Sequence, residues 1–386
     1  MSGKNQLKLI AMYFTQLHAI PENDKWWGKG FTDWNNVKAA QPLFDGHNQP
    51  RIPLDNNYYD QSEIETLRRQ ANLAKQYGVF GFCHYHYWFD GKQLLQTPTN
   101  LLLDNPDIDF PFCLSWANET WSKRWDGRDH YILIKQTHPP KKASWQKHFN
   151  YLIRAWSDDR AIKIDGKPVF IIYRPQHIKK LSKMLDYWRE QAIKAGLKGL
   201  YVIYQSQCDI PNKKLQGIDA VFQFQPLNAL LSDNNTISAR IKAKFHRLLQ
   251  YLPDPIESFL QSALSTIKIS HTLYSYDEVW DKIINQEPLT GFTNYRGAYV
   301  DWDNTARYGE RATIFGGVTP QRFEYWFKQL VDIVLSDNNK DKLIFINAWN
   351  EWAEGAYMEP DMVNGLQYLE AIERVLTGNI SINTRN

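Results

Sequence analysis

Residues 343–355 read Leu-Ile-Phe-Ile-Asn-Ala-Trp-Asn-Glu-Trp-Ala-Glu-Gly, and this stretch decides the fold. Its first four residues are apolar and half of them are β-branched, which predicts a strand that is buried on both faces. A buried carboxylate without partners is unfavourable, so acids after such a strand indicate a solvated cleft, a helix cap or an ion pair with arginine. The polar and aromatic residues that follow the strand are Asn347, Trp349, Asn350, Glu351, Trp352 and Glu354.

The same organisation recurs along the chain, where short apolar segments run into polar and aromatic residues. Helical spacing separates most of these segments, and two capping pairs, Ser62 with Glu65 and Ser275 with Glu278, predict helix starts. The predicted strands cover residues 7–14, 79–85, 110–115, 169–173, 200–204, 220–224, 297–300 and 343–346.

Strands that alternate with helices predict a parallel sheet with right-handed crossovers, and a single closed (β/α)8 barrel over residues 1–386 accounts best for eight of them. The polar residues follow the strands, as they do on the carboxyl-terminal face that carries the active site of such barrels. A doubly wound open sheet is the alternative. It requires a glycine-rich phosphate turn after the first strand, where this chain reads Phe14-Thr15-Gln16-Leu17-His18.

Two segments interrupt the alternation of strands and helices. Residues 15–60 predict a long loop between the first strand and the first barrel helix, and loops of this length in a compact domain are usually functional. Residues from about 231 to 270 are polar and basic at first and then amphipathic. They predict an insertion after the sixth strand.

Composition narrows the class of function. A net charge of +3 gives no electrostatic reason to expect nucleic acid or a membrane surface as partner, whereas 15 Trp, 21 Tyr and 19 Phe favour a carbohydrate cleft. The isolated Cys83, Cys113 and Cys208 predict reduced, buried thiols. We see no signal peptide and no apolar run long enough to span a membrane, so the sequence predicts a soluble, cytoplasmic protein. A saccharide is the expected partner, and neither a metal nor an organic cofactor is expected.

Glu351 and Glu354 are the strongest catalytic candidates. Their spacing lets both carboxylates point into the barrel mouth if the chain turns there. A retaining glycoside hydrolase needs an acid for the leaving oxygen and a second group on the other side of the anomeric carbon. That group is either a protein nucleophile or the sugar 2-hydroxyl, deprotonated by the second carboxylate, and both variants stay open.

Other strand ends offer candidates with two interpretations each. Glu119, beside Asn118, either binds substrate or forms a structural pair, and Arg174 either holds an acidic sugar or pairs with a neighbouring carboxylate. His84 and His86 alternate along a strand, so both are expected to face the barrel mouth. They lack a third partner at a recognisable spacing, which argues against a metal site.

Asp301 and Asp303 form an Asp-x-Asp pattern around Trp302. Nucleotide-sugar transferases use this pattern to hold a divalent cation, but sugar-binding carboxylates are also expected at the end of a barrel strand. The other candidate substrate-binding residues are aromatic and amide side chains at strand ends and in the long loop: Tyr13, Trp27, Trp34, Trp88, Trp116, Trp121, Gln205, Trp302, Trp349, Asn350 and Trp352.

Several motifs together resemble the WbsX-like family, a barrel family related to glycoside hydrolase family 99 and often labelled as glycosyltransferases of O-antigen loci. The motifs are Tyr13-Phe14, Trp27-Gly28-Lys29-Gly30-Phe31-Thr32-Asp33-Trp34, His84-Tyr85-His86-Tyr87-Trp88, Ser115-Trp116-Ala117-Asn118-Glu119-Thr120-Trp121 and the stretch around Trp349. Residues 349–355, followed by Glu359-Pro360, also resemble the catalytic segment of family 99, the endo-α-mannosidases and endo-α-mannanases.

The resemblance implies a retaining mechanism through a 1,2-anhydro sugar. By motif position, Glu351 would be the base for the sugar 2-hydroxyl and Glu354 the acid/base at the glycosidic oxygen. This chain has Ala353 where family 99 enzymes carry histidine, so the resemblance does not fix the sugar or the bond that is cut.

The barrel pattern and the carboxylate pair, together with what the resemblance implies, lead us to expect a retaining, glycoside hydrolase-like enzyme that cleaves α-linked glycans, mannan-like or of O-antigen type. The alternative enzyme is a glycosyltransferase of surface-polysaccharide biosynthesis, against which stand the missing phosphate turn and the single predicted barrel. A sugar-binding barrel without catalysis is a third hypothesis. It predicts that Glu351 and Glu354 are replaceable.

Overall fold

The computed structural model describes residues 7–123, 128–207, 215–231 and 270–378. Eight parallel strands form a closed barrel, in which β1 completes the ring by pairing with both β2 and β8. The (β/α)8 barrel is confirmed, and each strand lies within a few residues of its predicted position. The strands are β1 Lys8–Tyr13, β2 Val79–Phe89, β3 Phe112–Trp116, β4 Lys167–Ile172, β5 Tyr201–Ser206, β6 Ala220–Gln223, β7 Thr293–Tyr299 and β8 Leu343–Asn347.

Helices surround the barrel and also form parts of its loops. The insertion predicted at about 231–270 lies outside the described residues except at its two ends. The described α-helices are α1 Pro21–Trp27, α2 Asp33–Ala39, α3 Ile64–Gln76, α4 Thr97–Asp104, α5 Lys142–Trp156, α6 Leu181–Lys194, α7 Leu227–Leu231, α8 Tyr276–Ile284, α9 Thr305–Tyr308, α10 Pro320–Ser336 and α11 Gln367–Thr377.

The strands are apolar throughout because both of their faces are buried. In β8, Leu343 and Phe345 join the cluster inside the barrel, while Ile344 and Ile346 pack against the helices. Helix α10 shows the complementary pattern, since its buried side chains recur at the three- and four-residue spacing of one helix face. They are Pro320, Phe323, Phe327, Leu330, Val331 and Val334. This layered core holds the strand ends at a common edge.

Of the two predicted helix starts, one is confirmed. The Ser275 hydroxyl accepts a hydrogen bond from the Glu278 amide at 3.4 Å, as expected of an N-cap. The capping box at Ser62 is wrong, because the Ser62 amide and hydroxyl both donate to Asp60 Oδ1, at 2.7 and 2.6 Å. This local turn competes with the cap, and α3 begins without a side-chain cap bond.

The long loop between β1 and α3 contains α1 and α2 and packs against the segment after β8. The Trp34 indole donates to the Tyr59 carbonyl at 2.8 Å. Asn350 accepts from the Phe14 amide at 2.8 Å and donates to the Phe14 carbonyl at 3.0 Å. These hydrogen bonds hold the loop against the carboxyl-terminal end of the barrel.

Two other predictions concern cysteines and membrane spans. Cys83 and Cys113 are free and buried, as predicted, and Cys208 lies outside the described ranges. Across residues 7–123, 128–207, 215–231 and 270–378, no helix combines the length and apolar character that crossing a membrane requires.

Candidate active site

The chain turns sharply after β8, and this turn brings the two predicted catalytic glutamates together. Residues Asn350–Glu351 pair with Ala356–Tyr357 in a short antiparallel hairpin, and Trp352–Glu354 form a 3-10 turn between them. Gly355 ends the turn in the left-handed region, with φ of +65°. A Cβ atom on Gly355 would lie 2.7 Å from the Asp303 amide nitrogen, so glycine allows this hairpin to pack on the loop after β7.

Arg307 joins both glutamates to a third carboxylate. Its Nη1 atom donates to Glu354 Oε1 and lies 3.4 Å from Glu351 Oε1, while Nη2 lies 2.8 Å from Asp33 Oδ2. Arg307 belongs to α9 and Asp33 to α2, so three different loops supply this cluster. One buried guanidinium thus serves three acids.

The cluster sets the protonation of the glutamates. Burial, followed by the negative charge of Glu354, raises the pKa of Glu351 to about 8 against the opposing charge of Arg307. Burial also raises the pKa of Glu354, although Arg307 again opposes the rise. Because the two carboxyl groups interact, their protons are bound in steps that belong to the pair. One shared proton would supply an acid and a base near neutral pH.

The glutamates line a cleft with two adjoining lobes. The barrel lobe, of about 370 Å³, lies over the strand ends and is lined by Glu351, Tyr85 and Trp302 among others. The indole lobe, of about 210 Å³, is lined by Trp26 and Trp27. The residues that line both lobes, and so mark their junction, are Gln16, Glu119, Trp121, Arg307, Tyr308 and Glu354.

Several predicted site residues line this cleft or lie directly beneath it. Those that line it are Trp27, Glu119, Trp121, Trp302, Glu351 and Glu354. Gln205 is buried below the barrel lobe, where it accepts from the Ser115 hydroxyl at 2.9 Å and donates to the Tyr85 hydroxyl at 3.3 Å. Its position supports the wall of the cleft.

Glu119 is held in place by residues behind the cleft. Arg174 Nε donates to Glu119 Oε1 at 3.0 Å, which matches the structural alternative considered for Arg174. Asn118 fixes the Arg174 backbone, because its amide side chain accepts from the Arg174 amide at 2.7 Å and donates to the carbonyl at 3.0 Å. Asn118 and Arg174 therefore act on the cleft through Glu119.

The orientation predicted for His84 and His86 is wrong. Both side chains point away from the barrel interior, toward the helices. His84 stacks on Tyr13 and lies 3.1 Å from the Thr99 hydroxyl, whereas His86 lies 2.8 Å from His148 of α5. Burial lowers the pKa of both histidines to about 3, so they are neutral members of the core.

Four aromatic candidates share this outer layer and do not line the cleft. The Tyr13 hydroxyl donates to Gln70 of α3 at 2.6 Å, and the Trp116 indole donates to the Trp88 carbonyl at 3.2 Å. Trp88 stacks on His148 with ring centroids 4.6 Å apart. Trp349 packs on Phe82 and is fully buried. These rings lie on the outer side of the barrel wall, between the strands and the helices.

Trp34, Asn350 and Trp352 are buried where the long loop meets the hairpin after β8. Trp352 stacks on Tyr357, with ring centroids 3.8 Å apart, and its indole donates to Glu359 at 2.8 Å. Together with the Asn350 bonds to Phe14, these contacts support the hairpin that carries the glutamates. The three residues position the site without lining it.

The Asp-x-Asp pair is enclosed by donors. Asp301 Oδ2 accepts from Arg51 at 2.8 Å, and its Oδ1 accepts from the Trp302 amide at 2.7 Å. Asp303 is surrounded by His47 at 2.9 Å, Gln49 at 2.6 Å and the amide and hydroxyl of Thr305. All four carboxylate oxygens already have partners. Within the described residues, no group of three or more His, Cys, Asp or Glu side chains is arranged to hold a metal ion.

Sequence reasoning missed several residues of the cleft. Tyr85 and Tyr87 alternate with His84 and His86 along β2, and they are the ones that face the barrel mouth. A period-2 pattern was visible, but it does not tell the inside from the outside when both faces are buried. Arg307, Tyr308 and Trp26 also line the cleft, and they lie in short loop helices, where no periodicity indicates direction. Asp33, the partner of Arg307, was missed for the same reason. The other missed residues include Gln16, Asn23, Tyr173, Gln207 and Asn304.

The structure is thus a closed (β/α)8 barrel with paired carboxylates and aromatic rings at its carboxyl-terminal mouth. The chain belongs to the family described as glycosyltransferase WbsX, which it matches over residues 9–372. It is 35% identical over 370 residues to the uncharacterised protein WxcX from two strains of Xanthomonas campestris pv. campestris. That match covers 96% of this chain and 49% of WxcX, so the chain spans about half the length of these relatives.

Solved structures support the same fold. A glycoside hydrolase-like protein superimposes with a TM-score of 0.58 at 14% identity, covering 97% of this chain and 95% of its own. The glycoside hydrolase family 99 endo-α-mannosidase from Bacteroides thetaiotaomicron superimposes with a TM-score of 0.53 at 13% identity, covering 96% of each chain. At these identities the likeness shows the shared barrel fold.

Proposed function

We propose that this protein is a retaining glycoside hydrolase that cleaves α-linked glycans, mannan-like or of O-antigen type. The observation that carries the proposal is the pair Glu351 and Glu354, which share Arg307 Nη1 at the mouth of an aromatic cleft. Paired carboxylates that flank a sugar are the usual equipment for cleaving a glycosidic bond. The structural neighbour from family 99 is an endo-α-mannosidase, which points in the same direction.

In the proposed reaction, Glu351 takes the proton of the 2-hydroxyl, and the 2-oxygen bonds to the anomeric carbon. The glycosidic bond breaks at the same time, and Glu354 protonates the leaving oxygen. Water then attacks the anomeric carbon of the 1,2-anhydro sugar and gives a proton to Glu354, while the opened 2-oxygen recovers its proton from Glu351. The net change is the addition of one water molecule, and both glutamates return to their initial states.

These roles require a change of protonation when substrate binds. In the free cleft burial raises the pKa of both carboxyl groups, and the closer contact of Glu354 with Arg307 favours the charged form of Glu354. A 2-hydroxyl that donates to Glu351 stabilises its charged form, and a glycosidic oxygen that accepts from Glu354 stabilises the protonated form of Glu354. Substrate binding therefore drives the shared proton toward Glu354.

The second candidate is a glycosyltransferase of surface-polysaccharide biosynthesis, which the description of the family favours. Such an enzyme would bind the diphosphate of a nucleotide sugar, commonly with a divalent cation. Within residues 7–123, 128–207, 215–231 and 270–378, the charged residues that line the two lobes are Glu119, Glu351, Glu354 and Arg307, and this excess of acids disfavours a diphosphate. The oxygens of Asp301 and Asp303 are already occupied by protein donors. We therefore favour hydrolysis.

Product analysis separates the two functions. Wild type, Glu351→Gln, Glu354→Gln and the exposed control Glu310→Gln are incubated with α-mannans and bacterial O-polysaccharides, and with nucleotide sugars plus Mn²⁺ in parallel. New reducing ends that disappear in the first two variants and persist in Glu310→Gln are the expected result. Sugar transfer that needs a nucleotide donor and metal, and that survives in Glu351→Gln, would overturn the hydrolase proposal.

A further inference from the structure

Some of the residues that line the cleft belong to only one of its two lobes. Trp26 and Trp27 line only the indole lobe, and Trp302 lines only the barrel lobe. Trp121 lies at the junction and lines both. The indole lobe is therefore bounded by three tryptophans within about 210 Å³.

These indoles are held in defined positions although they are only half-buried. Trp26 meets Trp121 edge to face with ring centroids 6.1 Å apart, and Trp27 stacks on Phe31 at 5.7 Å. Large apolar rings gathered in a concavity indicate a binding site more than a packing need. Flat indole faces beside a carboxylate suit a pyranose, which presents an apolar C–H face and a rim of hydroxyls.

The two glutamates are distributed unequally between the lobes. Glu354 lines both of them and so lies at their junction. Glu351 lines only the barrel lobe. A base that acts on the 2-hydroxyl must lie beside the sugar whose anomeric carbon reacts, whereas an acid for the leaving oxygen must lie between that sugar and the next one.

We propose that the indole lobe binds a pyranose unit on the leaving-group side of the cleaved bond, and that the barrel lobe binds the sugar whose anomeric carbon reacts. The direction in which the glycan lies across the two lobes rests on the proposed roles of Glu351 and Glu354. The binding of sugar in the indole lobe does not depend on those roles. With one sugar on each side of the scissile bond, the smallest glycan that fills both lobes is a disaccharide.

Fluorine NMR of protein labelled with 5-fluorotryptophan tests the occupancy. Signals are assigned by single Trp→Phe substitutions, with Trp26 and Trp27 reporting the indole lobe and Trp302 the barrel lobe. Trp326, half-buried on α10 and hydrogen-bonded to Asp277 at 2.8 Å, is the control outside the cleft. The probes are the methyl α-pyranosides of mannose, glucose, galactose, rhamnose and fucose, and their α-linked disaccharides.

We expect at least one disaccharide to shift the Trp26 and Trp27 signals with saturation while the Trp326 signal stays constant. Trp27→Ala should weaken that binding about tenfold, because an aromatic contact is lost, and Trp326→Ala should leave it unchanged. Circular dichroism confirms that both variants are folded. Shifts confined to Trp302, or no saturable shift with any probe, would overturn the assignment of the indole lobe.

A spin label on the reducing end of the tightest-binding glycan, extended to a tetrasaccharide, tests the direction. The Glu351→Gln/Glu354→Gln double variant prevents turnover during the measurement. Broadening of the Trp26 and Trp27 signals would place the reducing end in the indole lobe, as proposed. Broadening of Trp302 instead would reverse the direction and overturn this part of the proposal.

Sugar binding in the indole lobe and hydrolysis of the glycan can be found or lost independently of each other. Binding in the indole lobe is read without turnover, so it can be found in a protein that releases no reducing ends. Conversely, new reducing ends could appear without any saturable shift at Trp26 or Trp27. That outcome would retain hydrolysis and remove the leaving-side subsite.

Discussion

Two acidic pairs follow neighbouring strands of the barrel, and they differ in almost every physical respect. Asp301 and Asp303, after β7, have side chains that are 8% and 1% exposed, and all of their oxygens have protein donors. Glu351 and Glu354, after β8, are 10% and 18% exposed, line the cleft and share one guanidinium. The first pair is satisfied by the fold, and the second remains available to a substrate.

The pKa values of Asp303 and Glu351 move in opposite directions, although burial raises the pKa of Asp301 despite the charge of Arg51. Burial alone would raise the pKa of Asp303, but hydrogen bonds from His47, Thr305 and Gln49 and the charge of Arg51 bring it to about 2. The pKa of Glu351 rises to about 8, because burial and Glu354 outweigh Arg307. A carboxylate that the fold keeps charged is structural, whereas one that can exchange a proton near neutral pH suits acid/base catalysis.

The largest expected effect is on turnover, in Glu351→Gln and Glu354→Gln. Each should lower kcat/KM on the glycan that wild type cleaves by about 10²- to 10⁴-fold, the usual contribution of general acid/base catalysis. Glu354→Gln should regain activity on a nitrophenyl glycoside of the same sugar, because a good leaving group needs no proton, and Glu351→Gln should not. The reverse result would exchange the two roles, and full activity of both variants would make the barrel a binding protein.

Arg307→Gln should lower the free energy of unfolding by about 3 kcal/mol at pH 8, since three buried carboxylates lose their shared cation. The loss should be smaller at pH 5, where the glutamates can accept protons. Urea denaturation at both pH values measures it. Arg68→Gln, which removes a surface ion pair, serves as control and should leave stability nearly unchanged. An equal loss at both pH values would show that the cation does not act through the glutamates.

Asp303→Asn should cost about 2 kcal/mol at pH 7, following a pKa that falls from 3.8 to about 2 on folding. A depressed pKa stabilises the folded state above the unfolded value, and this contribution is lost as the pH falls from about 4 toward 2. The difference between variant and wild type should therefore shrink in that window. Asp45→Asn is the control, because Asp45 is an exposed aspartate in the long loop that also supplies His47 and Gln49. A difference that is constant from pH 7 to pH 2 would contradict the assignment of a charged Asp303.

Glu351→Gln should change stability in the opposite direction. A raised pKa means that the folded state holds a proton that the unfolded chain has released, so wild type loses stability as the pH rises from about 4.5 to 8. Glu351→Gln removes this loss, because glutamine releases no proton, and should gain about 1 kcal/mol at pH 8, a gain kept small by the lost contact with Arg307 at 3.4 Å. Thermal melts from pH 5 to pH 8 would detect it, and parallel curves for the two proteins would contradict the raised pKa.

Much of the fold could be predicted because each strand is a continuous apolar segment with polar residues after it. The hairpin after β8 was also predictable in outline, since two glutamates three residues apart can share a cleft only if the chain turns. The prediction for His84 and His86 failed for a physical reason. A barrel strand is buried on both faces, so alternation along β2 indicates two faces without saying which one is inside.

The sequence alone determined that the chain is a (β/α)8 barrel with its polar residues at one end, and it singled out Glu351 and Glu354, because hydrophobic runs and local spacing are properties of short segments. Only the tertiary structure decided that Tyr85 and Tyr87 face the cleft, that Asp301 and Asp303 are enclosed, and that Arg307 joins Asp33 to the glutamates. Arg307 and Asp33 are 274 residues apart in the chain, and closure of the barrel brings their loops together. Contacts of this range depend on how the loops pack, which no local pattern encodes.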